Sequence, residues 1–158
     1  MVVVHNYLKQ KDFKVLKDYL ESETLNWFWN NFSTTADAPW VPQFTHTFFK
    51  ENLRTGNFDV LMPILDKLNP AALIRIKANL NFRTEKVLET GMHPDSDDKR
   101  FMSSILFINT NDGYSRIGTE KCPSTENTLI TIPSHQEHTG TTCTNAPRRL
   151  VLNIIYLP

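Results

Sequence analysis

"LIRIKANLNF", residues 73–82, alternates with a period of two: Ile74, Ile76, Ala78, Leu80 and Phe82 are apolar, and Arg75, Lys77, Asn79 and Asn81 between them are polar. Successive side chains of a strand point to opposite faces, so the segment predicts a β-strand with one apolar and one polar face. The pattern continues from Pro70 to the C-terminus. "RFMSSILFINT" (100–110) is apolar at nearly every position, "NTLITIP" (127–133) is shorter, and "RRLVLNIIYL" (148–157) closes the chain. Turn-forming stretches separate them: "NTNDGY" around Gly113, "CPSTEN" (122–127) and "TGTTCTNAP" (139–147).

The first seventy residues read differently. In "KDFKVLKDYLES" (11–22), Phe13, Leu16, Tyr19 and Leu20 recur at three- and four-residue spacing, the apolar face of a helix. "NFDVLMPILDKLNP" (57–70) repeats that spacing at Phe58, Leu61, Leu65 and Leu68. Asn57 is placed to cap it, Pro70 to stop it, and Pro63 either kinks it or lies in its first turn. Between them, residues 23–53 mix aromatics with Pro39, Pro42 and polar turn formers and read as loop with short extended pieces, in which Trp27, Trp29 and Trp40 need a surface to cover. Strands behind two helices predict a mainly β domain whose sheet has one face covered by helices and the other turned into a sandwich or barrel. The expected organisation is one domain over 1–158, with 1–70 as helical and loop support and 71–158 as the β core.

Composition narrows the function. Seventeen basic residues balance seventeen acidic ones, so no strong overall field steers the molecule to nucleic acid or an anionic membrane. Cys122 and Cys143 are the two cysteines, too few for a disulfide scaffold or a four-cysteine zinc site, and read as free thiols. "MVVVHNYLKQ" lacks the form of a signal peptide and no apolar run reaches membrane-spanning length, so the expectation is a soluble, intracellular, cytoplasmic protein.

If the apolar face of 73–82 packs on the helices, Arg75, Lys77 and Asn79 point inward, where charges must be paired or must bind something; the plainer alternative is that they face water. The last strand has the same character: Leu150, Leu152, Ile154 and Tyr156 share one face, and Arg149, Val151, Asn153 and Ile155 the other. Arg149 could hold a carboxylate by two parallel hydrogen bonds, whereas Arg148 reads as a surface residue. Of the five histidines, His5 and His46 read as ordinary hydrogen-bonded residues. His93 differs, because in "GMHPDSDDKR" (91–100) Asp95 follows two positions later, on the same side of an extended backbone. With a further histidine from "SHQEHTGTT" (134–142), imidazole, carboxylate and imidazole would make the facial set that suits non-haem Fe(II). His138 is the candidate and His135 its rival. Asp97 and Asp98 read as solvated loop carboxylates, with attraction of a basic substrate segment as the alternative.

"GMHPDSDDKRFMSSILFINTNDGY" (91–114) followed by "NTLITIPSHQEHTGTTCTNAPRRLVLNIIY" (127–156) resembles the 2-oxoglutarate/Fe(II)-dependent oxygenases, within them the prolyl-hydroxylase-like group, phage versions included. The resemblance covers most of 71–157. It implies a double-stranded β-helix (jelly roll) with the metal at its open end and N-terminal helices bracing the larger sheet. It implies Fe(II) on His93, Asp95 and His138, and 2-oxoglutarate as cosubstrate with its far carboxylate on Arg149. It also implies dioxygen as oxidant, and hydroxylation of a C–H bond of a protein, peptide or amino-acid substrate, peptidyl proline among them. For a phage-encoded version the compartment would be the host cytoplasm. One departure stands out: where many prolyl hydroxylases carry a tyrosine that also binds the cosubstrate, this chain has Phe107. Ser103, Lys77 and Asn79 are the candidates to take over that role. The Trp27–Trp40 segment and "NFRTEKVLETGM" (81–92) are candidate lids. A jelly-roll metal protein of other chemistry and a non-catalytic binding module are the alternatives.

Overall fold

The alternation of 73–82 is realised as a strand of eleven residues, β5 (Ala72–Phe82), in a computed structural model that describes residues 1–34 and 40–158. The remaining strands are β1 (Val2–Val4), β2 (Phe28–Asn30), β3 (Gln43–Lys50), β4 (Leu53–Arg54), β6 (Met102–Phe107), β7 (Tyr114–Ile117), β8 (Glu120–Pro123), β9 (Thr128–Pro133), β10 (His138–Thr139) and β11 (Arg148–Leu157). All paired strands run antiparallel. The larger sheet has the order β1-β9-β6-β11-β5-β3-β2, with β4 on β3, and the smaller is β10-β7-β8. Two antiparallel sheets facing one another, one large and one small, form the jelly roll that the resemblance implied.

Two apolar clusters lie on opposite faces of the larger sheet. On the outer face Ile76, Ala78, Leu150, Leu152 and Ile154 pack against α1 (Gln10–Leu20), α2 (Met62–Leu68) and the turn before it through Phe13, Leu16, Leu20, Ile64 and Leu61. Between the sheets a smaller cluster gathers Ile105, Phe107, Ile117, Ile130, Ile132 and Val151. The helix spacing read from the sequence thus marks the packed faces. Pro63 sits in the first turn of α2, where its missing N–H costs nothing, and a single 3₁₀ turn (Phe58–Leu61) precedes it. Asn57 makes no side-chain cap; the helix stops at Asn69, whose left-handed backbone (φ 48°) leads into Pro70.

The expectation of loop across 23–53 needs correction. Gln43–Lys50 is an eight-residue strand that pairs with β5 along most of its length. Its alternation of Gln43, Thr45 and Thr47 with Phe44, His46 and Phe48 is visible in the sequence; aromatics on one face and the punctuation of Pro39 and Pro42 disguise it. Pro39 itself lies outside the described residues. The smaller sheet was also missed: β7 and β8 form a hairpin around Gly118 (φ 58°), and β8 takes in the Cys122–Pro123 start of a stretch read as turn. No helix among the described residues is long and apolar enough to cross a membrane.

Candidate active site

At one end of the roll the loop after β5 crosses the start of β10. His93 and His138 form an isolated antiparallel bridge in which each backbone N–H donates to the other's carbonyl at 3.0 Å, so the two imidazoles are presented side by side with ring centroids 4.7 Å apart. Asp95 is fixed from the same edge by donation of its N–H to Ser134 O at 2.9 Å. Consequently one nitrogen of each histidine and one carboxylate oxygen of Asp95 lie within 4.8 Å of one another, a group that could hold a metal ion.

Local hydrogen bonding sets which atoms are available. A carbonyl can only accept, so His93 Nδ1–H donates to Gly91 O (3.1 Å) and His138 Nδ1–H to Gln136 O (3.0 Å), leaving both Nε2 lone pairs free for a cation. Burial pushes the His93 imidazole below its ordinary value, which keeps it neutral. Burial alone would raise the Asp95 carboxyl. His138, Arg75 and hydrogen bonds from Ser103 and Asn153 together outweigh it and hold the group below the usual carboxylate value. Arg75 Nη2 donates to Asp95 Oδ1 at 2.8 Å and Asn153 Nδ2 to Oδ2 at 3.1 Å, so the carboxylate, only 3% exposed, is held from two strands.

Behind this group lies a cavity of about 190 Å³, lined along its floor by Arg75, Lys77, Asn79 and Asn81 of β5 and by Arg149, Val151 and Asn153 of β11. The inward row read from the sequence is therefore the wall of a cavity, not a water-facing surface. Arg149 is 2% exposed; its Nε donates to Ser124 Oγ (2.7 Å) and its Nη2 to Ser115 Oγ (2.9 Å), both neutral. Burial brings its pKa down to about 10. Lys77 is lowered to about 8, first by burial and then by neighbouring Arg75. Among the described residues three buried side-chain polar atoms lack a hydrogen-bond partner, Arg75 Nε, Asn79 Oδ1 and Asn153 Oδ1, and all three residues line this cavity. Buried polar atoms are ordinarily paired, so their concentration here marks a place made for a polar ligand.

No protein-family model and no curated protein matches the chain. Solved structures do. The non-haem α-ketoglutarate-dependent carbocyclase SnoK from nogalamycin biosynthesis aligns at 11% identity and TM-score 0.66, over 99% of this chain and 78% of that one. HygX from Streptomyces hygroscopicus, solved with nickel, 2-oxoglutarate and hygromycin B bound, aligns at 9% identity and TM-score 0.65, over 99% and 82%. A prolyl-4-hydroxylase from Pseudomonas putida aligns at 13% identity and TM-score 0.59, over 99% and 92%. The chain has the 2-oxoglutarate/Fe(II) oxygenase fold.

Within that oxygenase fold the remaining candidates fall into place. His135 is exposed, in contrast to His138, 3% exposed, and is not among the grouped ligands. His46 Nδ1 bonds Asn26 O, and His5 meets Thr128. Asp97 is exposed, and Asp98 pairs with Arg100 at 2.6 Å. Arg148 pairs with Glu21 at 3.0 Å. Phe107 is fully buried, its ring centroid 5.5 Å from the Arg149 guanidinium carbon, so it packs on the cation where a tyrosine would offer a hydroxyl. Ser103 does not reach Arg149's end of the cavity: it bonds Ser134 Oγ at 2.9 Å, on the side of Asp95. Both candidate lids contribute wall residues, Ser33 and Thr34 from one and Asn81 and Thr90 from the other, joined by Thr34 Oγ1 donating to Thr90 O at 2.8 Å; residues 35–39 of the first lie outside the described residues.

Sequence reading missed three contributors. Ser115 and Ser124 orient Arg149, but each lies next to a turn, with no pattern to raise it. Gly113 is the third: a Cβ there would lie 2.6 Å from Thr142 O and 2.8 Å from Arg149 Cδ, so only glycine lets the arginine pass. "NTNDGY" signalled a turn at that position and gave no hint of the side chain beneath it.

Proposed function

We propose that the protein is an Fe(II)- and 2-oxoglutarate-dependent dioxygenase that hydroxylates a C–H bond of an amino-acid side chain or related substrate. The observation that carries the reading is Arg149: a deeply buried guanidinium with no carboxylate partner among the described residues, facing the same cavity as a His, Asp, His group. A buried cation without a counter-ion is unfavourable unless a ligand supplies one, and an acidic cosubstrate does so.

The donor set fits the metal. Two imidazole nitrogens and one carboxylate oxygen form the facial set associated with Fe(II), with positions left for a chelating ligand. His93 and His138 would contribute Nε2, and Asp95 its Oδ2, while Arg75 keeps Oδ1 occupied and so favours single-oxygen ligation. Bound there, Fe(II) with 2-oxoglutarate and dioxygen supplies an oxidant for a C–H bond, the cosubstrate leaving as succinate and carbon dioxide. The chain's own work is placement. Arg149, oriented by Ser115 and Ser124 and backed by Phe107, receives the far carboxylate. Asn79, on the same floor and able to donate through its side-chain Nδ2, is the candidate to supplement that clamp where the tyrosine hydroxyl is missing.

Anaerobic addition of Fe(II) and then 2-oxoglutarate to metal-free protein tests the reading. A visible charge-transfer band that disappears in both Arg149→Ala and His138→Ala is the expected result. Metal binding without the band would move the assignment to a jelly-roll metal protein of different chemistry, and no metal binding would leave a binding module.

A further inference from the structure

Among its described lining residues the charge of the cavity is unbalanced even after the proposed metal and cosubstrate are counted. Three cationic side chains, Arg75, Lys77 and Arg149, line it, and Asp95 is the one carboxylate among its described lining residues. Fe(II) and 2-oxoglutarate carry equal and opposite charges, so their joint arrival leaves the surplus of positive charge unchanged. Arg75 has Asp95, at 2.8 Å, and Arg149 has the two serines and, on the reading above, the far carboxylate.

Lys77 has no such partner among the described residues. Among the described residues it makes no ion pair and no side-chain hydrogen bond. It stands on the inner row next to Arg75 and directly across the sheet from Asn153, the residue that holds Asp95. It is therefore at the metal end of the cavity, where a substrate bond must be brought. Two unpartnered atoms flank it in sequence and register: Arg75 Nε, a donor, and Asn153 Oδ1, an acceptor whose orientation is settled because Nδ2 donates to Asp95.

Resting on the oxygenase reading, we infer that the primary substrate carries a carboxylate, which Lys77 receives with Arg75 Nε beside it, while Asn153 Oδ1 accepts an N–H of the same molecule. An amino-acid unit satisfies that set. Its carboxylate comes either from an acidic side chain or from the main-chain terminus. The substrate class is thereby narrower than any amino-acid side chain: an uncharged prolyl residue inside a peptide would leave Lys77 unmatched.

The test uses protein loaded with Zn(II) in place of Fe(II) and saturated with 2-oxoglutarate, titrated by calorimetry. In one arm the probes are the N-acetyl methylamides of aspartate and glutamate against those of asparagine and glutamine; in the other, N-acetylalanine against its methylamide. The expected result is that the acid of at least one arm binds about tenfold tighter than its neutral match, and that Lys77→Met removes the difference. 2-Oxoglutarate affinity should stay within about threefold in that variant, and Lys77→Arg should restore part of the preference. Equal binding of acid and amide, or no binding of any acid, overturns the inference. So does a tenfold loss of 2-oxoglutarate affinity in Lys77→Met, which would assign the lysine to the cosubstrate. Failure of the oxygenase reading shows separately, as Zn(II)-loaded parent protein that does not bind 2-oxoglutarate or an Arg149→Ala variant that still does.

Discussion

Strands β5 and β11 lie side by side, yet their two faces follow opposite rules. On the outer face Ile76, Ala78, Leu150, Leu152 and Ile154 are wholly buried against the helices. On the inner face Arg75, Lys77, Asn79, Arg149 and Asn153 surround a cavity and leave polar atoms unpaired. The same backbone hydrogen bonds hold both sets, so the difference lies entirely in side chains. One face supplies stability at no functional gain. On the proposed function the other gives up stability to hold charges ready for a ligand, as functional sites commonly do.

The sharpest way to break the comparison is to damage the outer face. Leu152→Ala removes a fully buried side chain at the centre of the larger sheet and should cost about 2–5 kcal/mol, read as a lower urea midpoint at unchanged slope. What remains folded should still bind Zn(II) with parental affinity. Gly113→Ala comes next, because it acts on both faces of the problem. Its Cβ would meet Thr142 O at 2.6 Å and Arg149 Cδ at 2.8 Å, an overpacking expected to cost about 1–3 kcal/mol. Here 2-oxoglutarate binding should weaken together with stability, as the arginine is displaced.

The sequence was informative where one physical pattern dominated. Period two in 73–82 and 148–157 predicts both the strands and the side on which each residue points, and that alternation, joined to the family resemblance, prefers Arg149 to Arg148. That His93 and Asp95 come together was legible because their spacing and a family resemblance agree, and the resemblance supplied the topology that alternation alone could not. β3 was not legible, since its aromatic face imitates a loop rich in packing residues and prolines precede it. The partners of Arg149 were hidden for another reason. Ser115 and Ser124 approach it from 34 and 25 residues away in sequence, and a lone serine beside a turn carries no periodicity to betray its direction.

The inner face should respond in the reverse sense to the outer. Arg149→Met removes a buried cation along with its hydrogen bonds to two hydroxyls. Lost hydrogen bonding and relieved desolvation oppose one another, so ligand-free stability should stay within about 1 kcal/mol of the parent. Adding Zn(II) and 2-oxoglutarate separates the two proteins. At a hundredfold excess over the dissociation constant the parent should gain about 2.7 kcal/mol from the cosubstrate, and the variant none, which parallel thermal melts would show. A loss of several kcal/mol without ligand would mean that Arg149 is a structural residue and that the two faces do the same job.

The smallest effect tests how finely the site discriminates between its histidines. His135 and His138 lie three residues apart in one stretch, but His135 is exposed while His138 is bridged to His93 and turned inward. His135→Ala should leave Zn(II) affinity within about twofold, as surface changes generally do. His138→Ala should lower it by at least about tenfold through loss of a first ligand, since even partners behind the ligands matter at that level. The pair differ in direction and not in chemistry, and the backbone exchange between His93 and His138 supplies that direction. If His135→Ala were the more damaging, the bridge would not be what builds the site, and the inner face would have to be reassembled around another histidine.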